Sequence, residues 1–353
     1  MGVALLAFLA VATVNASQRY VEDFVDLSSD LVVSLDGLTV SGLSSGAAFA
    51  TQFHVAHSSL VKGAGLLAGI PYGCARNNML TALYTCMPTN TRLPEAARTT
   101  FAKRARDCAS KGNCDDPAHL SDGRVFLSHG REDDTVAMTA SEATVAFYEE
   151  FGSDVIWHEH DDMGHLWPTL SYGTPCRATE PPYLGKCRWN AAYEMLAYLD
   201  PSLVQKGAIY SDDIESKGET DDNSIHHHMY RFDQDGFVSN RKRQSVAESG
   251  FVFVPPQCFE RQCRVHVAFA GCSQQEEHIG RRFVDNAGFN EIAMLNDFVV
   301  VYPQLTSSML LPQNPYGCWD WWGYTGSKYD TQKGSQIDFV HNVLQAMAAD
   351  VSK

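Results

Sequence analysis

The chain has 353 residues, 44% hydrophobic and 20% charged, which is enough to bury one large α/β domain or two smaller ones. With 27 basic against 42 acidic residues it carries a net charge of −15. That argues against nucleic acid and anionic lipid as partners, because both need basic patches.

Residues 1–16, MGVALLAFLAVATVNA, hold an apolar run from Val3 to Val14 followed by small residues. The run has signal-peptide length, with cleavage expected before Ser17. No Lys or Arg precedes it, and a buried N-terminal strand or helix is the alternative. It is too short to span a membrane, and no later apolar run is longer, so no membrane partner is expected. Residues 31–40, LVVSLDGLTV, read as a strand. Phe49, Phe53, Ala56 and Leu60 then recur at helical spacing, and VKGAGLLAGI (61–70) reads as a buried strand, completing a βαβ unit. Residues 71–120 read as loop-rich. VFLS (125–128) is a further buried strand. Thr139 and Glu142 suggest a capping box before a helix running to Phe151. VIWH (155–158) is the next strand, and Tyr193–Leu199 a helix. The acidic stretch 210–223, YSDDIESKGETDDN, reads as a surface linker. His226, His227 and His228 follow it; three adjacent histidines cannot all face one ion in a regular element, so no metal site is expected. FVFVPPQC, CRVHVAFAGCSQ and DFVVVYPQ each contain a strand-like run, with a helix over 289–295 between the last two. Ile337–Ala349 read as a closing helix.

Ten cysteines occur, none in a CxxC pair, which argues for disulfides over a zinc ribbon or redox motif. Sequence cannot fix the connectivity. Nearest-neighbour pairing is the expectation for the first eight, leaving Cys272 for Cys318.

The sequence VSGLSSG places Ser44 in G-x-S-x-G between the first strand and the first helix. On a sharp strand-to-helix turn such a serine exposes its hydroxyl, the glycines avoid Cβ clashes, and the amide of Ser45 is free to hold an oxyanion. A nucleophilic serine needs a base and a residue that orients it. Asp133 lies in the first turn beyond the strand VFLS; Asp134 is adjacent and would point differently. His165 lies in the loop after VIWH. The order Ser44, Asp133, His165 is that of an α/β-hydrolase. Too little chain precedes Ser44 to build the strands that such a fold places before its nucleophile. VHVAFAGCSQ and DFVVVYPQ supply that material from the other end, so the fold class expected is a circularly permuted α/β-hydrolase. Its sheet would be mostly parallel with helices on both faces. The amide of Cys272 is then the expected second oxyanion donor, and a Cys272–Cys318 bond would bring Trp319 beside the site.

Taken together, VSGLSSGAAFATQFHVAHSS, GAGLLAGIPYGCA, HGREDDTV, MGHLWPT, YRFDQDGF, SGFVFVPPQC, VHVAFAGCSQ and NPYGCWDWWGYTG resemble the secreted, single-domain poly(3-hydroxybutyrate) depolymerases across nearly the whole chain after residue 16. The resemblance implies a triad of Ser44, Asp133 and His165, an oxyanion hole of Ser45 and Cys272, and Trp319 lining the polymer subsite. For Trp321 and Trp322, burial in the core is the expectation. The sequence departs from the family at Ala270, where a His is usual, and at Ala48, where a bulkier residue is common. No Thr-rich linker or separate polymer-binding domain is seen. The expectation is a secreted serine esterase formed by one catalytic domain, 17–353, acting on hydroxyalkanoate polyester or oligoester without metal or cofactor. A feruloyl or acetyl esterase, or a non-catalytic binding protein on a hydrolase scaffold, are the rival readings.

Overall fold

The computed structural model describes residues 23–88, 93, 96–202 and 223–348. The expected signal segment and residues 210–222 of the expected linker lie outside these.

The long strand β1 (Val33–Leu43) leads directly into α1 (Ser45–Ala56) and back to β2 (Gly63–Leu67). All twelve residues of α1 are buried, which its Gly, Ala and Phe content permits: small side chains let the helix sit close to the sheet while Phe49 and Phe53 fill the space between. The strands β3 (Arg124–Gly130) and β4 (Asp154–His160) extend the sheet on one side. The helix α2 (Ala96–Ser110) precedes β3, and α3 (Met138–Glu150) joins β3 to β4. After β4 a small sheet forms from β5 (Trp167–Thr169), β6 (Thr174–Pro175) and β7 (Leu184–Lys186), and then α4 (Ala191–Leu199) follows. The other half of the main sheet comes from β8 (Met229–Asp233), β9 (Ser249–Phe253), β10 (Cys263–Phe269) and β11 (Phe298–Tyr302), with α5 (Phe289–Leu295) before β11 and α6 (Ser335–Ala348) at the end.

The eight-stranded sheet runs β4-β3-β2-β1-β10-β11-β9-β8. Neighbours are parallel from β4 through β11, and β9 is antiparallel to both β11 and β8. The chain's first strand therefore lies in the middle of its sheet. The strands on one side of it come from the far end of the sequence, which is the expected circular permutation of an α/β-hydrolase. The inner strands β2, β10 and β11 are apolar along almost their whole length, as strands covered on both faces must be.

All five expected disulfides form: Cys74–Cys86, Cys108–Cys114, Cys176–Cys187, Cys258–Cys263 and Cys272–Cys318. Three local expectations are corrected. The stretch 71–120 is not mainly loop, since it contains the fifteen-residue α2. The capping box does not form: α3 begins at Met138 after Ala137, whose side chain cannot cap, so Thr139 lies inside the first turn. The strand β8 was not expected; in MYRFD, Arg231 and Asp233 break the apolar run, which suits its edge position.

Candidate active site

Ser44 stands at the junction of β1 and α1 with φ 57° and ψ −119°. Such a conformation costs a non-glycine residue about 1–3 kcal/mol and persists only where its surroundings enforce it. Here the Ser44 amide donates to Leu67 O at 2.9 Å, and Ser44 O accepts from the Ala48 amide at 2.9 Å. The flanking glycines are required by close approach. A Cβ on Gly42 would lie 2.4 Å from Gly46 C, and one on Gly46 would lie 2.2 Å from Phe269 O. Their absence lets the turn fold on itself and presses the first turn of α1 against the end of β10.

Asp133 follows β3 and its side chain is almost wholly buried. Its Oδ1 accepts from the amides of Thr135 (2.8 Å) and Val136 (2.9 Å), while Oδ2 accepts from His165 Nδ1 at 2.6 Å. Burial pushes this carboxyl up. The charge and hydrogen bond of His165, helped by His129 and the Val136 amide, outweigh burial and hold it below the ordinary carboxylate value. Asp134 is exposed and turned away. The loop bearing His165 is fixed by its amide donating to Thr179 Oγ1 (3.0 Å) and by Gly164 N donating to Cys176 O (2.9 Å). The Cys176–Cys187 bond ties that segment to the end of β7.

Ser44, Ser45, His165 and Cys272 all line one cavity of about 400 Å³. With Nδ1 committed to Asp133, Nε2 is the nitrogen that His165 can offer a substrate or nucleophile. The loop Gly271–Ser273 leaves β10 at the level where β1 meets Ser44, because the two strands are parallel neighbours. Gly271 N donates to Gln274 Oε1 (2.7 Å) and Ser273 N to Tyr316 O (2.7 Å). The intervening Cys272 amide, like that of Ser45 at the start of α1, makes no hydrogen bond among the described residues. Two unpaired amides at a cavity wall, one of them at a helix N-terminus, suit a developing oxyanion.

The remaining walls are largely apolar, from Ile70, Leu83, Val136, Tyr183, Trp321 and Trp322. This corrects the aromatic assignment. Trp319 is fully buried, stacked on Phe49 with centroids 4.4 Å apart and edge-on to Phe269 at 4.8 Å, so it packs α1 against β10 and does not reach the cavity. Trp321, buried in the core as expected, and Trp322, packed against that core, also line the cavity. The geometry thus brings together Ser44, Asp133, His165, Ser45 and Cys272, and replaces Trp319 by its neighbours.

No family model matches the chain. It is 29% identical over 317 residues to the poly(3-hydroxybutyrate) depolymerase of Delftia acidovorans, covering 88% of this chain and 59% of that protein. The chain therefore spans less than two thirds of that relative's length. It is 28% identical over 322 residues to the polyhydroxybutyrate depolymerase of Talaromyces funiculosus, covering 86% and 87% of the two chains. Among solved structures it superposes on PHB depolymerase from Penicillium funiculosum with TM-score 0.77 and 26% identity, over 91% of this chain and 98% of that one. A serine-to-alanine PHB depolymerase complexed with R3HB trimer gives TM-score 0.76, 26% identity and the same coverage. By sequence over most of its length, and by fold, the chain is similar to poly(3-hydroxybutyrate) depolymerases.

Proposed function

We propose that this chain is a secreted serine esterase that hydrolyses poly(3-hydroxybutyrate), or related short-chain hydroxyalkanoate polyesters and oligoesters, through an acyl-enzyme. The observation that carries it is the Asp133–His165 pair, 2.6 Å apart, opening with Ser44 and two unpaired amides onto one apolar cavity. In this mechanism Ser44 Oγ attacks the ester carbonyl carbon while His165 Nε2 takes the hydroxyl proton. The oxyanion rests on the amides of Ser45 and Cys272. Collapse breaks the ester bond, and His165 returns the proton to the departing hydroxyl oxygen. Water, deprotonated by His165, then attacks the acyl-enzyme, and its collapse restores Ser44 and releases the acid. Asp133 holds the ring tautomer and balances the imidazolium.

The substrate class draws support from the cavity and its rim. The repeat of the polyester has methyl groups and ester dipoles but no charge, and the walls are apolar to match. Close in sequence to the lining residues Leu83 and Gln313, Leu80 and Tyr84 on one segment and Met309, Leu310 and Leu311 on another are exposed, Leu311 to 89%. Exposed apolar residues of this kind favour contact with an insoluble polymer. The two relatives reported above carry the same activity in their names, and one similar solved structure holds an R3HB trimer. Five disulfides and the apolar segment at 3–14 support export to an oxidising compartment. One catalytic domain over 17–353, without cofactor, completes the reading.

The test is covalent labelling by a fluorophosphonate, paired with release of hydroxybutyrate from its oligomers. Native protein takes one label and releases acid; Ser44→Ala takes none and loses at least about a thousandfold in rate. No label on the native protein ends the esterase reading. Labelling with turnover of feruloylated sugars and none of hydroxybutyrate oligomers transfers the site to the other ester class.

A further inference from the structure

Asp133 has a second histidine. His129, near the end of β3, is fully buried, with Nε2 3.3 Å from Asp133 Oδ2 and 3.1 Å from Val136 O. Its Nδ1 lies 2.8 Å from Ser141 Oγ on α3, and that hydroxyl lies 3.1 Å from Gly69 O. Both partners of Nε2 are acceptors, so Nε2 bears the proton, and in the neutral ring Nδ1 accepts from the Ser141 hydroxyl. The titratable groups facing the ring are Asp133 on its own loop, His165 from the loop after β4, and Glu159 on β4. Burial drives the ring toward its neutral form; Asp133 opposes this, His165 reinforces it, the Val136 carbonyl and Glu159 oppose it, and the net is downward. His129 is therefore a neutral ring that donates to Val136 O and packs 3.3 Å from Asp133 Oδ2.

We propose that His129 is a positioning residue for the esterase reaction: its Nε2–H holds Val136 O, and with it the turn whose Thr135 and Val136 amides grip Asp133 Oδ1, while the ring walls Oδ2 at 3.3 Å and keeps it aimed at His165. The proposal rests on the triad reading given above. Oδ1 is held by two main-chain amides, whereas among the described residues Oδ2 accepts from His165 and meets the His129 ring in a contact. Without that ring, the turn loses its tie to the end of β3 and Oδ2 depends on His165 alone for its place. Ser141 completes the device by anchoring the far nitrogen, so that α3 orients the carboxylate through His129.

The experiment compares His129→Leu, His129→Gln and Ser141→Ala on a soluble hydroxybutyrate ester, with rates divided by active sites titrated with fluorophosphonate. His129→Leu is expected to lower kcat about ten- to a hundredfold, as loss of outer hydrogen-bond partners does elsewhere, with KM within about twofold. Its acid limb in kcat moves to higher pH, because the carboxyl of Asp133 loses a group that holds it down. His129→Gln, whose amide can still donate to Val136 O, recovers most of both. Native kcat and acid limb in His129→Leu, or equal loss in His129→Gln, overturn the proposal. If His129→Leu does not fold, Ser141→Ala decides: a smaller fall in kcat with the same shift of limb supports the device, and an unchanged profile overturns it. A parallel Ser44→Ala control separates the two levels, since activity surviving there sinks the triad itself.

Discussion

At Ser44 a single residue carries the strain and its neighbours make that strain possible. Gly46 is the tightest of them, with Phe269 O and Ala270 O both inside the space that a Cβ would need. Gly46→Ala should push the start of α1 off β10, costing about 1–3 kcal/mol and lowering kcat, because the two amides proposed to hold the oxyanion lie at the start of α1 and just beyond the end of β10. Gly236→Ala, where nothing lies within 4 Å, serves as the control, with thermal unfolding and ester turnover as the readouts. A Gly46→Ala protein with native melting and native turnover would contradict the close-approach account. At this scale the sequence was informative wherever a residue type is demanded by geometry. G-x-S-x-G between strand and helix, and Asp133 and His165 just past two strands, were legible for that reason. Trp319 was not. The segment 318–325 has no period to show which side chains turn inward. Their directions are set by the buried Asp320, whose carboxylate accepts from the amides of Gly323, Tyr324 and Thr325 at 2.6, 3.0 and 2.9 Å. Four adjacent aromatics gave no sign of that turn in advance.

Among the elements, the loops after β10 and around Cys318 act as one unit. The Cys272–Cys318 bond joins the residue that offers an oxyanion amide to the segment bearing Trp321 and Trp322, across 46 residues of sequence. Chain-entropy arguments give a stabilisation of roughly 4 kcal/mol for a loop of that length. The double variant Cys272→Ala, Cys318→Ala should therefore lose stability on that scale. Its surviving folded fraction should also turn over more slowly, since the amide of residue 272 is no longer tethered. Chemical denaturation and turnover per titrated site read the two effects separately. Full turnover in the folded fraction would mean that Gln274 and Tyr316 hold the loop unaided. Legibility of elements followed burial. The strands β1, β2, β3, β10 and β11 stood out as apolar runs, and α5 fell within the expected bounds. The helix α2 did not, because AARTTFAKRARDCAS is dominated by charged and small residues and its apolar stripe is thin. The edge strand β8 was hidden because it is only five residues long and Arg231 and Asp233 interrupt its apolar positions.

Over the whole molecule the response to acid is set by buried imidazoles. Burial, aided by Lys62, lowers His54 to about 3; burial alone lowers His266 to about 3. Burial and His341, against Asp115, lower His57 to about 4. In the unfolded chain each returns to about 6.5. Between pH 6.5 and these depressed values the unfolded state binds protons that the native state refuses, so stability is present above pH 6.5 and falls as pH falls. Asp330 acts the other way: burial, helped by Asp320, raises it to about 6, so the native state binds its proton first and gains stability below pH 6. The histidines outnumber it. By pH 4 the loss should be roughly 2–3 kcal/mol for each of His54 and His266. Urea midpoints taken at pH 7.5, 6 and 4.5 should decline steadily at constant slope; a midpoint that holds to pH 4.5 would refute this. The permuted sheet was legible only as a deficit, as too little chain before Ser44, and the exact order of eight strands needed coordinates.

That order has a consequence for synthesis. β1 emerges with Ser44 early, yet its parallel neighbour β10 begins more than two hundred residues later. The amide of Cys272 and the tryptophan walls are translated later still. A nascent chain thus carries Ser44 without half of its sheet, and the proposed esterase site cannot assemble until those later segments have appeared.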